Sequence, residues 1–466
     1  MTINDINISD IIQARRMDPI FFRYGTSLFG EKYKLESIGS CIIDIQSGVG
    51  AGKGDQASET NGIVQIRPTN IDKDGLLVFD KNVYVPIEAN MPSLKENDVL
   101  FNNTNSQELV GKTAIFRGNE PYRFSNHITR IRVNQNKILP EYLWIILNLY
   151  QRKSIFYSIC TNWNNQSGIG NELLKSTKIP LPILEKQKEI VGLYTKAQEA
   201  KLTKEKEAKS LLDSIDSFVL KNMGVALPSK DIYVKVNVVS LSQLIGNRYD
   251  PYYHNEYFEE AFKHLKDTSN YKLVRLSDIT VLITSGITPK SGGDDYTDSE
   301  HGVAFIRSGN IDIMGEVDFD NLLYIKRNVH NTRMKSSKVQ NGDIMIAIVG
   351  ATIGQVGIYH SSREANINQA IALVRLKDGY NPEYIKEVIK SSIGQLNLDR
   401  LKRPVARANI NLEEISSMLI PVPEIEIQNE IVKSVVSIRQ QAKRLQKEGV
   451  ELLEIAKQEI EKIILG

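Results

Sequence analysis

Internal duplication constrains this chain more than any other feature, because both copies must specify the same fold. Residues 62–84 (GIVQIRPTNIDKDGLLVFDKNVY) and 302–324 (GVAFIRSGNIDIMGEVDFDNLLY) align at a constant spacing of 240 residues. Gly62/Gly302, Ile66/Ile306, Arg67/Arg307, Asn70-Ile71-Asp72/Asn310-Ile311-Asp312, Gly75/Gly315, Phe79-Asp80/Phe319-Asp320 and Tyr84/Tyr324 coincide. Further pairs keep nearly the same spacing: Asp18-Pro19/Asp250-Pro251, Tyr33-Lys34-Leu35/Tyr271-Lys272-Leu273, Gly48/Gly286, Asp98/Asp343 and Pro140-Glu141-Tyr142/Pro382-Glu383-Tyr384. Near each end Ile-Pro-x-Pro (179–182, 420–423) precedes Gln187 or Gln428, followed two residues later by Glu-Ile-Val.

Each copy has two parts. The first is made of short β-branched and aromatic runs between Gly, Asn and Asp, which predict strands. These are 63–67, 76–79, 98–101, 113–117 and 127–133, then 303–307, 322–325, 343–349, 356–360 and 370–376. A helix is expected from Pro140 and from Pro382, since Pro suits a first helical turn. The second part, from Glu185 to about Asn222 and from Glu424 to Gly466, lacks Pro and is dense in Lys, Glu, Leu and Ile. Its apolar positions alternate by three and four. They are Ile190, Tyr194, Ala197, Ala208, Leu211, Ile215 and Phe218 in one helix, with Lys201 and Lys204 filling the gap. In the other they are Ile431, Val435, Ile438, Ala442, Leu445 and, beyond Gly449, Leu452 and Ala456. That is a narrow coiled-coil seam, and a helix merely covering its own domain would carry a broader stripe. One seam per helix makes the other helix the economical partner, and about 38 residues span roughly 57 Å.

The expectation is an α+β chain: two β-rich domains, 1–183 and 229–423, each followed by a long helix, 184–228 and 424–466, the helices packing as an antiparallel coiled coil. At 466 residues there is material for two cores. Hydrophobic residues make up 41% and charged residues 24%, which excludes a disordered chain. Lys+Arg number 58 against 56 Asp+Glu, so any nucleic acid must be held by local patches. Cys41 and Cys160 alone give no disulfide framework and no zinc site. No apolar run is long enough to span a bilayer, and Met1 is followed by acidic and polar residues, so a cytoplasmic chain without membrane contact is expected.

With Ser285-Gly286-x-Thr288-Pro289, FIRSGNI at 305–311 and IPVPEIEIQNEIV at 420–432, this order of parts resembles the specificity (S) subunit of type I restriction-modification enzymes over nearly the whole chain. The first copy departs from it at SGVGAGKGD (47–55), which lacks the Thr-Pro. The resemblance implies that each β-rich part is a target recognition domain reading half of a split site in double-stranded DNA. It implies that the helices set the spacing and dock two methyltransferase subunits, which in turn recruit restriction (translocase) subunits. It also implies a chain that catalyses nothing, with S-adenosylmethionine and ATP held by those partners. Because the two domains differ, an asymmetric target is expected.

Residues common to both domains cannot make them read different sequences, so Arg67 and Arg307 are assigned to phosphate contacts or to strand-end ion pairs. Reading is expected in the polar loops that differ. In the first domain these hold Lys53, Asn102, Asn103, Asn105 and Gln107, and the cluster Asn162, Asn164, Asn165 and Gln166 beside Trp163. A carboxamide matches the N6/N7 edge of adenine, although Asn is also a common turn former. In the second domain Arg400, Lys402, Arg403 and Arg407 form the strongest local positive patch, suited to guanine or phosphate, or else an ordinary solvated helix end. Lys290 is a further candidate.

Strings that imitate enzymes fail on inspection. Gly52-Lys53 and Gly111-Lys112 carry Ser47 and Ser106 where a phosphate loop needs its leading Gly. Asp250-Pro251-Tyr252-Tyr253 and Asn381-Pro382-Glu383-Tyr384 have one Pro where amino-methyltransferases have two. The six His are scattered, so no catalytic or metal site is expected. The rival reading is a duplicated scaffold protein that does not bind DNA.

Overall fold

The computed structural model describes residues 32–87, 92–119, 121–163, 166–228, 238–244, 248–403 and 408–466. The chain divides into two compact units, Met1–Glu205 with Gln446–Gly466, and Lys206–Leu445. In the first, strands β1 (Leu35–Ser37), β2 (Ile42–Ser47), β3 (Gly62–Ile66), β4 (Tyr84–Pro86), β5 (Val99–Asn102), β6 (Thr104–Asn105), β7 (Thr113–Ile115), β8 (Arg123–Phe124), β9 (Ile128–Val133), β10 (Thr161–Trp163), β11 (Gln166–Gly168) and β12 (Lys178–Pro180) form small sheets. Their orders are β2-β9-β5-β7, β4-β3-β8, β10-β11-β6 and β1-β12. Helices α1 (Pro140–Arg152) and α2 (Ile155–Ile159) cover the main sheet, and α3 (Leu184–Met223) follows the last strand.

The second unit repeats this plan. Its strands are β13 (Leu273–Arg275), β14 (Thr280–Ser285), β15 (Tyr296–Thr297), β16 (Gly302–Ile306), β17 (Leu323–Lys326), β18 (Lys338–Val339), β19 (Ile344–Ala347), β20 (Val356–Ile358), β21 (Ala365–Ile367), β22 (Ile371–Leu376) and β23 (Leu419–Pro421). They pair as β14-β22-β19-β20, β15-β17-β16-β21-β18 and β13-β23. Helices α4 (Glu256–Thr268), α5 (Pro382–Lys390) and α6 (Ser392–Leu401) pack on them, and α7 (Ile425–Leu465) follows β23.

The repeated residues turn out to be the joints of this plan. Tyr142 and Tyr384 each donate, at 2.8 Å, to the carbonyl of the proline ending the last strand, Pro180 or Pro421. Buried Asp98 and Asp343 each accept two bonds from an arginine of the neighbouring strand, Arg132 or Arg375. Asn70 and Asn310 are buried, accept the amide of Arg67 or Arg307 and donate to a carbonyl further along, so they shape the turn and are not offered to a ligand. The predicted strand at 76–79 is instead the return of this turn. Val78 donates to the Asn70 carbonyl, and Gly75 (φ 76°) takes a left-handed conformation in which a Cβ would meet Thr113 O at 2.6 Å.

In the first unit the start of α3 lies against the end of α7, with Ile190 and Tyr194 in one core with Leu453, Ile460 and Ile464. In the second, Val219 and Met223 share a core with Ile431 and Val435. The helices therefore pair antiparallel. Ala442 is also buried on the seam, while Ala197, Leu211, Ile215, Phe218, Ile438 and Leu445 are half-buried. Leu452 is not on the seam. It is 40% exposed, and Leu453 takes the buried place. The seam runs through Gly449, which is buried against the backbone of Lys201; a Cβ there would lie 3.3 Å from Lys201 Cα, so the glycine lets the helices approach. Leu452 continues the three-four spacing from Leu445, but beyond Gly449 the seam steps four residues to Leu453.

Two lysines inside the seam are held by one carboxylate. Asp74 accepts from Lys201 Nζ at 2.6 Å and from Lys457 Nζ at 2.8 Å, all three side chains largely buried. Burial by itself would raise the Asp74 carboxyl, but the two ammonium groups outweigh it and bring its pKa down to about 2. Lys204 meets Glu448 at 2.6 Å one turn on. Among the described residues no helix is long and apolar enough to cross a membrane.

Candidate nucleic-acid interface

The fold brings together two amide-rich segments that lie far apart in sequence. Strands β10 and β11 pair with Asn162 opposite Ser167 and Trp163 opposite Gln166, and β11 pairs with β6, Ser167 opposite Asn105. Asn164 and Asn165 lie between the two strands and outside the described residues. Directly opposed residues of an antiparallel pair share a face. Trp163, Gln166 and Gly168 therefore line one side, and the indole reaches over Gly168, whose missing Cβ would fall 2.3 Å from the ring.

Hydrogen bonding separates the amides that can meet a ligand from those that cannot. Asn102 is fully buried and donates to Leu109 O. Asn103 is buried and donates to Asn126 O and Thr129 Oγ1 while accepting from Thr104. Both were expected to read bases; instead they brace the strand, because a buried, bonded amide is not presented to a groove. Asn105 Oδ1 accepts from Ser106 N and Gln107 Nε2 donates to Tyr157 O, so each keeps half of its pattern. Asn162 is exposed, but its Oδ1 takes Ser167 Oγ at 2.6 Å and Cys160 Sγ at 3.4 Å, leaving it a donor only. Gln166 is exposed and makes no side-chain hydrogen bond among the described residues.

The glycine loops sit alike in the two units. A Cβ on Gly48 would lie 2.1 Å from Phe124 O, and one on Gly286 1.7 Å from Ile367 O, so each loop is laid directly on a strand end. Lys53 and Lys290 stand exposed on these loops. Arg67 forms no ion pair among the described residues; it donates to Gln65 Oε1 at 3.0 Å and to the glycine-loop carbonyl of Ala51 at 2.9 Å. Its counterpart Arg307 is exposed and forms no ion pair among the described residues.

In the second unit the segment after α6 returns to the sheet at the place the hairpin takes in the first. Asn409 bridges Val349, and Ile410 N donates to Ile348 O at 3.0 Å, just as Ile169 N donates to Asn103 O in the first unit. The sequence patch is largely neutralised here. Arg400 pairs with Glu259, donates to Tyr253 O at 3.1 Å and stacks over Tyr253 and Phe262, so it anchors α6 to α4 and is not free for guanine. Lys402 pairs with Asp399 at 2.9 Å. Arg403 meets Glu414 at 3.2 Å yet keeps 45% of its side chain exposed, while Arg407 lies outside the described residues. Glu259, Glu414 and Arg248, which organise this patch, are remote in sequence and gave no local signal.

Among the described residues no group of His, Cys, Asp and Glu could hold a metal ion. The model of the type I restriction modification DNA specificity domain matches residues 79–212 and 268–451, more than half of the chain. A putative type I restriction enzyme MjaX specificity subunit of Methanocaldococcus jannaschii is 26% identical over 362 residues, 76% of this chain and 75% of that one. The type I restriction enzyme EcoBI specificity subunit of Escherichia coli is 34% identical over 159 residues, 34% of this chain and 32% of that one. The fold is similar to a chain from a solved structure concerned with complex assembly and conformational transition of the type I R-M system, at TM-score 0.50 and 16% identity, covering 93% of this chain and 97% of the other. With two copies of the specificity domain on paired long helices, the chain belongs to the family of type I restriction-modification specificity subunits, the non-catalytic subunits responsible for DNA recognition.

Proposed function

We propose that this chain reads an asymmetric, split target in double-stranded DNA, one half with residues 1–183 and the other with 229–423. The helical segments 184–228 and 424–466 dock two methyltransferase subunits, and restriction subunits join through these. S-adenosylmethionine and ATP belong to the partners, and the complex works in the cytoplasm. One observation carries this reading: two units built on the same joints present different chemistry at the same place, the exposed carboxamides of Asn162 and Gln166 on β10–β11 in one and Arg403 beside Lys402 in the other. A shared frame with exchanged tips is what two readers of different half-sites need. Arg403, Lys53, Asn105, Gln107, Asn162, Gln166, Lys290 and Arg307 remain accessible candidates for DNA contacts among the described residues.

Methylation-sensitive sequencing of the host genome, with the gene intact and deleted, tests this. Loss of one asymmetric split motif on deletion is the expected result. If every methylated motif persists while the methyltransferase subunits are expressed, the chain is a scaffold that does not read DNA. Arg403→Ala is expected to weaken binding by about 1–3 kcal/mol at one half-site only, read by competition among duplexes mutated in either half. An equal loss on all duplexes, with a shallower salt dependence, would make Arg403 a phosphate contact.

A further inference from the structure

Resting on the DNA-reading proposal above, we propose that Gln166 and Trp163 together read one A·T base pair, Gln166 the adenine and Trp163 the thymine methyl. The argument starts from the hydrogen-bond inventory. Bidentate recognition of adenine needs one side chain that donates to N7 while accepting from N6. Asn162 has spent its oxygen on Ser167 and Cys160, Asn103 has spent both ends, and Asn105 and Gln107 each retain one. Gln166 is the described amide of this surface with donor and acceptor both uncommitted.

The face around Gln166 supplies the second half of the pattern. Trp163 lies directly across the strand pair from it and remains 46% exposed, costly for the largest apolar side chain unless something covers it. Gly168, two residues beyond Gln166 on the same face, leaves the space into which the indole is set. An apolar edge beside a free carboxamide matches the major-groove edge of an A·T pair, which presents N7 and N6 of adenine, then O4 and the C5-methyl of thymine. A G·C pair has neither the matching donor for the Gln oxygen on its purine nor a methyl for the indole.

The test uses the full chain with its methyltransferase subunits and duplexes carrying the motif recovered from the genome. Each A·T pair is changed in turn to 7-deazaadenine, which removes N7, or to uracil for thymine, which removes the methyl. At one pair in one half-site, 7-deazaadenine is expected to weaken wild-type binding by about tenfold, and uracil by a smaller factor. Gln166→Ala should lose as much on natural DNA and nothing more on the 7-deaza duplex. Trp163→Ala should lose affinity on thymine and none on uracil at that same pair. The chain has two tryptophans, and Trp144 is buried, so emission from Trp163 should change on binding that duplex and not on binding one altered at this pair. If both variants bind the motif as wild type does, or their effects map to a G·C pair, the inference falls while DNA reading stands. If the wild type shows no preference for the motif, the parent proposal falls with it.

Discussion

Replacing Asp74 with alanine is expected to destabilise the first unit by about 3–5 kcal/mol, the usual consequence of removing one partner from a buried ion network. Lys201 and Lys457 come from the two long helices, and each has little exposure and the Asp74 carboxylate as its nearest counter-charge. Without it, two ammonium groups face each other in the seam, and Glu205 and Glu454 lie further off at 3.6 and 3.8 Å. The effect must also carry a pH signature. The folded carboxyl titrates at about 2 against 3.8 ordinarily, so its contribution of about 2 kcal/mol is fully present above the ordinary value and fades as pH falls through the range from about 4 to about 2. Urea melts of wild type and Asp74→Ala should therefore differ most near neutrality and converge in acid. A difference that stays constant down to pH 2.5 would show that the lysines do not depend on this carboxylate.

The second large effect is expected from the repeated glutamine. Gln187 is fully buried; it accepts from Leu139 N at 2.8 Å and donates to Lys137 O at 3.0 Å and Pro182 O at 2.9 Å. Gln428 does the same with fewer partners, Asn381 N at 2.9 Å and Pro423 O at 2.8 Å. Each side chain pins the first turn of a long helix to the start of the domain's own helix. Leucine fills the same volume but strands the backbone groups, at about 1–3 kcal/mol each. Gln187→Leu should thus cost more than Gln428→Leu, in the ratio of groups left without a partner. Hydrogen exchange at the amides of Leu139 and Asn381 would show the loss locally, and equal melting of both variants would refute the ranking.

Much of the architecture was legible because it rests on periodicity and repetition. The alternation of three and four along α3 and α7 specifies a seam whatever the seam meets, and the Pro-Glu-Tyr and Ile-Pro-x-Pro repeats mark positions where the backbone itself sets the geometry. Even there, the seam leaves the strict spacing beyond Gly449, where Leu453 and not Leu452 is buried, and whether a glycine interrupts a seam or tightens it depends on the backbone opposite, here that of Lys201. The segment 76–79 has strand-like residues, but Leu77 makes an isolated bridge to Ile71 and Asn70 ties the segment into a turn.

The candidate site was legible in kind and not in detail. Residue types at 102–107, 162–166 and 400–407 announced amide-rich and basic segments, since composition is a local property, but not which of their side chains reach the surface: Asn102 and Asn103 are buried. Which amide is free is not local. Asn162 is spent on Ser167 across its own hairpin, whereas Asn103 is spent on Asn126 and Thr129, and Arg400 on Glu259 and two aromatic rings, all brought in by chain returning from elsewhere. The sequence by itself determined that this protein is a duplicated domain joined by heptad helices, because repetition and period survive without knowing any neighbour. Only the tertiary structure decided that Asp74 binds both helices and that Gln166 and Trp163 stand exposed side by side, because charge pairing and hydrogen-bond satisfaction are fixed by what packs against a residue and not by what flanks it.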